Sequence, residues 1–216
     1  MSETLQVNEI FKSIQGESSF AGLPCVMVRL AGCNLDCTWC DTRYARAEPG
    51  LAMTVSEVLQ AVAKLDCTRV EVTGGEPMLQ QATKTLLEKL RLAGYEVLLE
   101  TNGSVDISSI DRRVRRIIDV KCPASGQAER NLWSNLDELT DQDEVKFVIA
   151  ERGDYDFARK IIDTHSLAER CGVILSPVQP SLNPAELARW ILADNLDVRL
   201  GLQLHKIIFP DTQRGV

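Results

Sequence analysis

Short apolar runs alternate with amphipathic segments along most of this chain of 216 residues. The apolar runs are rich in Val, Ile and Leu, which is typical of strands buried on both faces of a parallel sheet. The predicted strands are Cys25–Leu30, Val70–Thr73, Glu96–Glu100, Ile117–Lys121, Val145–Ile149, Val173–Ser176 and Leu200–Leu204. Repeated strand–helix units predict an α/β fold whose mostly parallel sheet is doubly wound or curled into a full or partial barrel.

Helix start signals lie between these strands. Thr54–Glu57 has the form of a capping box, and Asn183 precedes a proline at the first helical position. Further helices are predicted at Leu79–Leu92, Ile107–Arg116 and Tyr155–Thr164.

Two polar segments interrupt the alternation of strands and helices. Residues 124–144 are interpreted as an irregular insertion, either a surface loop or a lid. The arginines at positions 112, 113, 115 and 116 are expected to form a solvated face near a helix end.

Short motifs follow the first four predicted strands. They are the cysteine triplet in GCNLDCTWCDT and then Thr73–Pro77, Thr101–Gly103 and Lys121–Pro123. Parallel α/β enzymes assemble their active sites at the C-terminal ends of their strands. The four motifs are therefore expected to meet at one rim of the sheet.

The triplet Cys33, Cys37 and Cys40 has the spacing C-x3-C-x2-C with no fourth cysteine nearby. Thiolates bind a four-iron cluster one per iron, so three of them leave one iron open to a ligand that is not protein. Structural zinc would need a fourth ligand such as His165 or His205, and an electron carrier would normally supply four thiolates. The pattern therefore favours an iron–sulfur cluster with an open position.

The other cysteines and the composition limit the remaining possibilities. Cys25, Cys67, Cys122 and Cys171 are interpreted as free buried thiols, because a disulfide framework suits small secreted domains. A cytoplasmic location is expected, and no apolar run approaches the roughly 20 residues of a membrane span. The net charge of −7 argues against nucleic acid as the main partner and favours a small molecule.

The motif CNLDCTWC, followed after the next strand by TGGEP, resembles the radical S-adenosylmethionine (SAM) superfamily. Within it, FKSIQGE at 11–17, Arg29, Cys40–Thr42 and Leu204–Lys206 are similar to the 7-carboxy-7-deazaguanine synthase family. The resemblance implies one radical SAM domain over residues 1–216, a partial (β/α) barrel and a homodimer. Two departures are Ser18, where relatives often have glycine, and Lys121–Pro123, where relatives often have Ser-Pro-Lys.

The implied activity is that of a radical lyase in queuosine and deazapurine biosynthesis. It converts 6-carboxy-5,6,7,8-tetrahydropterin into 7-carboxy-7-deazaguanine and releases ammonia. The implied cofactors are a [4Fe–4S] cluster, SAM and Mg²⁺, and the implied reductant is flavodoxin-like or ferredoxin-like. Two alternatives stay open: an enzyme that places a glycyl radical on a protein partner, and a non-catalytic iron–sulfur or zinc module.

The resemblance also implies residue roles. Cys33, Cys37 and Cys40 would hold the cluster, and the hydroxyl of Thr42 would reach Mg²⁺. The expected pterin contacts are Ile14, Gln15, Gly16, Arg29, Thr73 and His205. The expected SAM contacts are Trp39, Asp41, Gly75, Lys121, Cys122, Pro123, Ser176 and Gln179. Other roles are open for four of these residues: Arg29 could form an ion pair, Thr42 could cap a helix or turn, and Trp39 and His205 could pack structurally.

Overall fold

A computed structural model describes residues 3–212 and 214–216 of the chain. In this part of the chain nine strands form one sheet in the order β3-β1-β2-β4-β5-β6-β7-β8-β9. The strands are β1 Thr4–Ile14, β2 Pro24–Leu30, β3 Leu51–Thr54, β4 Arg69–Gly74, β5 Glu96–Thr101, β6 Arg115–Val120, β7 Glu144–Ile149, β8 Gly172–Pro177 and β9 Arg199–Leu200. All neighbours from β2 to β9 pair in parallel, whereas β1 is antiparallel to both β2 and β3.

Most helices lie between strands, and the second to the sixth contribute residues to the apolar core on one face of the sheet. The last helix follows the final strand and has no buried residue. The helices are α1 Arg43–Ala47, α2 Val55–Ala63, α3 Ala82–Leu92, α4 Arg152–Thr164, α5 Leu167–Arg170, α6 Pro184–Ala193 and α7 Leu204–Ile208. The two predicted start signals are confirmed: Thr54 and Glu57 form a complete capping box at α2, and the Asn183 side chain accepts from Ala185 N at α6. Within the described residues no helix is long and apolar enough to cross a lipid bilayer.

Alternate residues of the strands face different environments, as the twofold period of a strand requires. Apolar side chains form the core beneath the helices, among them Val70, Val72, Val97, Leu99, Val145 and Phe147. Polar side chains occupy the opposite face, among them Glu71, Thr73, Glu100, Asp119 and Lys146. The face away from the helices is therefore available for polar chemistry.

Contacts across this polar face show that the sheet curls. Ser19 N, in the loop between β1 and β2, lies 3.0 and 3.2 Å from the carboxylate oxygens of Glu144 on β7. Four strand spacings of about 4.8 Å would hold β2 and β7 roughly 19 Å apart in a flat sheet. The sheet is open between its edges β3 and β9. The prediction of a partial (β/α) barrel with mostly parallel strands is confirmed.

Several predicted elements are wrong. The predicted helix Ile107–Arg116 is wrong: its residues up to Val114 form turns, and Arg115 and Arg116 begin β6. Asp106 and Asp111 stabilise the turns by accepting hydrogen bonds from the main-chain N–H of residues 108 and 113. The predicted strand Leu200–Leu204 is also wrong, because β9 ends at Leu200 and Leu204 begins α7. β1 and the edge strand β3 were missed, since few of their residues are buried and their apolar pattern is weak.

Arg116 is also placed differently from the expectation of a solvated face. Its side chain is 1% exposed and forms an ion pair with Asp143, which is 0% exposed. Arg116 N and Nε both donate to Asp143 Oδ1, at 2.8 and 3.1 Å, and Nη2 donates to Glu138 O at 2.8 Å. This arginine ties the irregular region, which contains short 3-10 helices at Pro123–Ser125, Ala128–Arg130 and Trp133–Glu138, to the sheet.

Candidate active site

The loop that carries the cysteine triplet packs against the turn after β4. Gly75 N donates to Leu30 O at 3.1 Å, and Glu76 N donates to Gly32 O at 2.8 Å. A Cβ atom on Gly75 would collide with the carbonyl oxygen of Gly32. The close approach of the two loops therefore requires glycine at position 75. This requirement is independent of the expected contact between Gly75 and SAM.

Glu76 connects this turn to the end of β5. Its side chain is buried and accepts hydrogen bonds from Met78 N, Thr101 Oγ1 and Asn102 N at 2.7–2.9 Å. Burial raises the pKa of Glu76 even though these donors favour its charged form. The carboxyl group thus fixes the position of the Thr101–Gly103 motif beside the cysteine loop.

Asn102 makes the direct contact between that motif and the triplet. Its Nδ2 lies 3.7 Å from Cys33 Sγ and donates to Asn34 Oδ1 at 3.1 Å. Asn34 Nδ2 in turn donates to Ser104 Oγ at 2.9 Å. The sequence correctly placed this motif on the rim, but the role of Asn102 was missed. The position of the motif at the end of a strand was the signal that could have indicated it.

The three cysteines are free and half-buried on one loop. Burial raises the pKa of Cys37, while the charge of Lys121 lowers it. Cys25, Cys67 and Cys171 lie near the N-terminal ends of strands, away from this rim, and the Cys122 thiol lies in the hydrophobic core. The donor set fits a cluster held by three thiolates with one iron open.

A single metal ion fits the same residues less well. Among residues 3–212 and 214–216 no group of three or more His, Cys, Asp or Glu side chains is arranged to hold one ion. Cluster thiolates bind different irons and do not converge on one point. Thr42 Oγ1 lies 3.8 Å from Cys40 Sγ, at the end of the loop.

Arg29 extends from β2 and pairs in register with Thr73. Its Nε donates to Glu9 Oε1 at 2.8 Å, and its side chain is only 11% exposed. Tyr44 OH donates to the same Glu9 oxygen at 2.7 Å. Burial lowers the pKa of Arg29, but Tyr44 and the Glu9 carboxylate outweigh it and raise the pKa above its usual value. The guanidinium also lies 6.0 Å from the ring centroids of Phe11 and Tyr44. Among the described residues its hydrogen bond runs from Nε, so the terminal nitrogens are available to a carboxylate.

The structure brings Ile14, Gln15, Gly16 and His205 together at the end of β1. Gln15 is buried, its Nε2 donates to Glu71 and its Oε1 accepts from Glu17 N. Gly16 O accepts from Leu204 N at 2.9 Å. A Cβ atom on Gly16 would collide with His205 Nδ1. The side-chain amide of Gln15 is thus held in one orientation beside the histidine.

Lys146 lies among four acidic residues, which are Glu17, Glu71, Glu100 and Asp119. We call these five residues the interior cluster. Lys146 Nζ donates to Glu100 Oε1, lies 2.8 Å from Glu17 Oε2 and 3.8 Å from Asp119 Oδ2. Thr73 Oγ1 donates to Glu100 Oε2 at 3.1 Å.

The protonation states of the interior cluster follow from its burial and charges. Burial and the Glu100 carboxylate raise the pKa of Glu71 well above its usual value. Burial lowers the pKa of Lys146, but Glu100, Glu17 and Asp119 raise it well above the ordinary lysine value. Sequence reasoning assigned a role to none of these five residues, and it placed only Glu17 in a motif, as the last residue of FKSIQGE. Charged residues at alternate positions within apolar strands were a usable signal for those on the strands.

The remaining candidate residues lie around the mouth of the barrel. Asp41 accepts from Lys206 Nζ at 2.8 Å and from Gln203 Nε2 at 3.2 Å. Burial raises the pKa of Asp41, but Lys206 and Gln203 outweigh it and lower the pKa to about 2. Lys121 forms an ion pair with Asp119 at 2.8 Å.

Other expected SAM contacts differ in how accessible they are. Ser176 is buried at the end of β8, whereas Gln179 and Pro123 are exposed beyond strand ends. Trp39 is half-buried beside Cys40. The core location of the Cys122 thiol leaves only the main-chain atoms of that residue for a ligand.

Comparisons with known proteins agree with this geometry. The sequence profile of the radical SAM superfamily matches residues 27–187. A 7-carboxy-7-deazaguanine synthase of Koribacter versatilis is 44% identical over 98% of this chain and 100% of its own length. A 7-carboxy-7-deazaguanine synthase of Chlorobaculum tepidum is 47% identical over 98% of this chain and 97% of its own length. The chain belongs to the 7-carboxy-7-deazaguanine synthase family.

A solved structure of the same fold is QueE from Escherichia coli. It matches this synthase family member with a TM-score of 0.75 and 22% identity, over 93% of this chain and 94% of that chain. SuiB from Streptococcus suis matches with a TM-score of 0.59 over 81% of this chain and 47% of that chain. Membership of the radical SAM superfamily implies a [4Fe–4S] cluster and SAM as cofactors of this synthase family member.

Proposed function

We propose that this chain is a radical SAM lyase that converts 6-carboxy-5,6,7,8-tetrahydropterin into 7-carboxy-7-deazaguanine and releases ammonia. Near full-length similarity to 7-carboxy-7-deazaguanine synthases supports the proposal. The structural observation that carries it is a three-cysteine rim above a polar interior in which Arg29 keeps free guanidinium nitrogens. Such an interior suits a small carboxylated heterocycle and gives no reason to favour the alternative of a glycyl-radical-activating enzyme.

Cys33, Cys37 and Cys40 would hold the cluster, and the iron without a thiolate would be open to SAM. The chemistry that this pair of cofactors supplies is one-electron cleavage of a carbon–sulfur bond. The protein orients SAM and excludes side reactions. The residues proposed to contact SAM are Trp39, Asp41, Gly75, Lys121, Cys122, Pro123, Ser176 and Gln179.

Arg29 would bind the pterin carboxylate through its terminal nitrogens, because a planar guanidinium can form two parallel hydrogen bonds with a carboxylate. Gln15, held by Glu71 and Glu17 N, would keep one amide hydrogen and one acceptor site for the ring edge. The main-chain groups of Ile14 and Gly16, with Thr73 and His205, complete the proposed pocket.

Thr42 is proposed to contribute its hydroxyl to Mg²⁺. Magnesium favours six oxygen ligands and usually keeps several waters, so one neutral hydroxyl cannot hold it alone. The substrate carboxylate would supply a further ligand. Metal affinity should therefore be weak without substrate.

Further proposals concern the setting of the enzyme. We infer one domain over residues 1–216, supported by the single nine-stranded sheet of the described residues. We also infer a homodimer, a flavodoxin-like or ferredoxin-like reductant and a cytoplasmic location, where reducing conditions suit free cysteines.

The test is anaerobic reconstitution of the protein with iron and sulfide, followed by reduction and incubation with the carboxypterin, SAM and Mg²⁺. The expected result is a brown protein that forms the deazaguanine product and ammonia. Cys37→Ala should lose the cluster and the product, whereas the control Cys67→Ala should keep both. A colourless protein with one tightly bound zinc would support the non-catalytic module instead.

A further inference from the structure

A continuous chain of polar contacts joins the proposed pterin pocket to the cysteine loop. Glu17 Oε2 lies 2.8 Å from Lys146 Nζ, and Glu17 Oε1 accepts from Gln203 Nε2 at 2.8 Å. Gln203 Nε2 also donates to Asp41 Oδ2 at 3.2 Å. We call Lys146, Glu17, Gln203 and Asp41 the connecting chain. Asp41 directly follows Cys40, so the connecting chain ends at the proposed SAM site.

The opposite end of the connecting chain lies among the proposed pterin contacts. Lys146 donates to Glu100, which accepts from Thr73 Oγ1. Glu17 N donates to Gln15 Oε1, so a displacement of Glu17 would also release the Gln15 amide. Two pterin contacts therefore depend on where Lys146 and Glu17 lie.

The positive charge of Lys146 and the negative charges of its carboxylate neighbours stabilise the connecting chain. Lys146 is 7% exposed and carries the positive charge that faces Glu17, Glu100 and Asp119. Removal of one partner from a buried ion pair leaves an uncompensated charge, so these carboxylates would separate without the lysine. Gln203 Nε2 carries two hydrogens and donates toward two carboxylates, so it bridges Glu17 and Asp41.

We propose that Lys146 and Glu17 are positioning residues that couple occupation of the pterin pocket to binding and cleavage of SAM. The inference rests on the proposed function. A pterin that binds Gln15 and Thr73 adds a further restraint on Glu17 and Glu100. Through Gln203 this restraint reaches Asp41, which Lys206 also contacts, beside the proposed SAM site. By linkage, SAM must then tighten pterin binding by the same factor. The coupling limits radical formation to the complex that contains substrate.

Equilibrium binding measures this coupling without turnover. The affinity of the reconstituted holoenzyme for 6-carboxypterin, the oxidised form of the substrate, is measured by calorimetry with and without SAM. In the unaltered protein SAM should tighten binding by about fivefold or more, within the usual range of coupling between two sites. In Glu17→Gln and Gln203→Ala the ratio of pterin affinities with and without SAM should fall close to one.

Turnover supplies a second measurement. SAM cleavage releases 5′-deoxyadenosine. In Lys146→Met and Glu17→Gln the amount of it released per deazaguanine formed should rise above that of the unaltered protein, because SAM is then cleaved in complexes whose pterin is not held in place. Lys146→Arg keeps the charge and should restore most of the coupling. Lys160→Met, on the exposed face of α4, is the matched control and should resemble the unaltered protein.

The outcomes separate the two proposals. Product formation by the unaltered holoenzyme tests the proposed function and does not depend on any variant. A coupling factor near one in the unaltered protein, or an unchanged factor in Glu17→Gln, overturns the positioning role. If Lys146→Met fails to fold, Glu17→Gln and Gln203→Ala still test the positioning role. Each removes a contact of the connecting chain and leaves the buried lysine in place.

Discussion

Asn102 Nδ2 points at Cys33 Sγ from 3.7 Å, and the same amide group donates to Asn34 Oδ1. Hydrogen bonds to the sulfur ligands of iron–sulfur clusters are among the factors that set their reduction potentials. An amide N–H stabilises the more negative, reduced state and so raises the potential. This side chain therefore connects the end of β5 to the electronics of the proposed cluster.

We predict that Asn102→Asp lowers the reduction potential of the reconstituted cluster, because a carboxylate replaces the N–H donor beside the sulfur. Anaerobic redox titration followed by electron paramagnetic resonance measures the shift. Ser104→Ala is the control, since Ser104 contacts Asn34 and Asn102 but not the sulfur. An unchanged potential in Asn102→Asp would show that the contact does not affect the cluster.

Arg29→Ala should raise the KM for the carboxypterin while cluster assembly stays normal. A hydrogen bond to a charged group contributes about 1.5–3 kcal/mol, and each 1.4 kcal/mol is tenfold, so we expect roughly a ten- to hundredfold increase. Steady-state kinetics over a range of substrate concentrations measures the effect. Arg152→Ala, which removes an exposed pair with Asp156 on α4, should leave KM unchanged. Equal KM values for the two variants would remove Arg29 from the substrate site.

The rim of the barrel could be predicted from the sequence because its motifs are short and chemically distinctive. Cys33–Cys40 and Gly74–Gly75 are recognisable from residue type and spacing, and parallel strands bring their C-terminal ends together. The interior cluster could not be predicted in the same way. Lys146 meets Glu17 and Glu100 over sequence separations of 129 and 46 residues, and only the curl of the sheet brings them into contact.

The errors in secondary structure have local causes. The apolar spacing of Ile107–Arg116 suggests a helix, but the carboxylates of Asp106 and Asp111 bind nearby main-chain N–H groups and stabilise turns. β1 alternates apolar and polar residues at Leu5–Asn8, but a bulge between Val7 and Glu9 shifts the register. The alternation therefore does not continue along the strand, and the sequence pattern was too short to predict it.

Arg116→Ala should lower the free energy of unfolding by about 3–5 kcal/mol, because it leaves the Asp143 carboxylate buried and unpaired. Urea unfolding of the cluster-free protein, followed by circular dichroism under reducing conditions, measures the change. The control is Arg113→Ala, which removes an arginine that is 68% exposed and should have little effect. If both variants unfolded at the same urea concentration, the buried pair would not stabilise the fold.

Glu71→Gln should change the pH dependence of stability. Burial, then the Glu100 charge, raise the pKa of Glu71 in the folded state above the unfolded value, so the folded protein binds more protons over the interval between the two values. Stability therefore falls as the pH rises through that interval, by at most about 1.4 kcal/mol per pH unit. Glutamine stays neutral and lacks this loss, so the variant should gain stability relative to the unaltered protein as the pH rises above the unfolded value of about 4.3.

Urea unfolding of the cluster-free protein at several pH values measures this difference. Glu88→Gln, on the exposed face of α3, is the control and should follow the curve of the unaltered protein. A stability difference between Glu71→Gln and the unaltered protein that stayed constant with pH would mean that Glu71 is ionised in the folded state. In that case Gln15 would donate to a carboxylate, and its orientation would depend on a charged rather than a neutral partner.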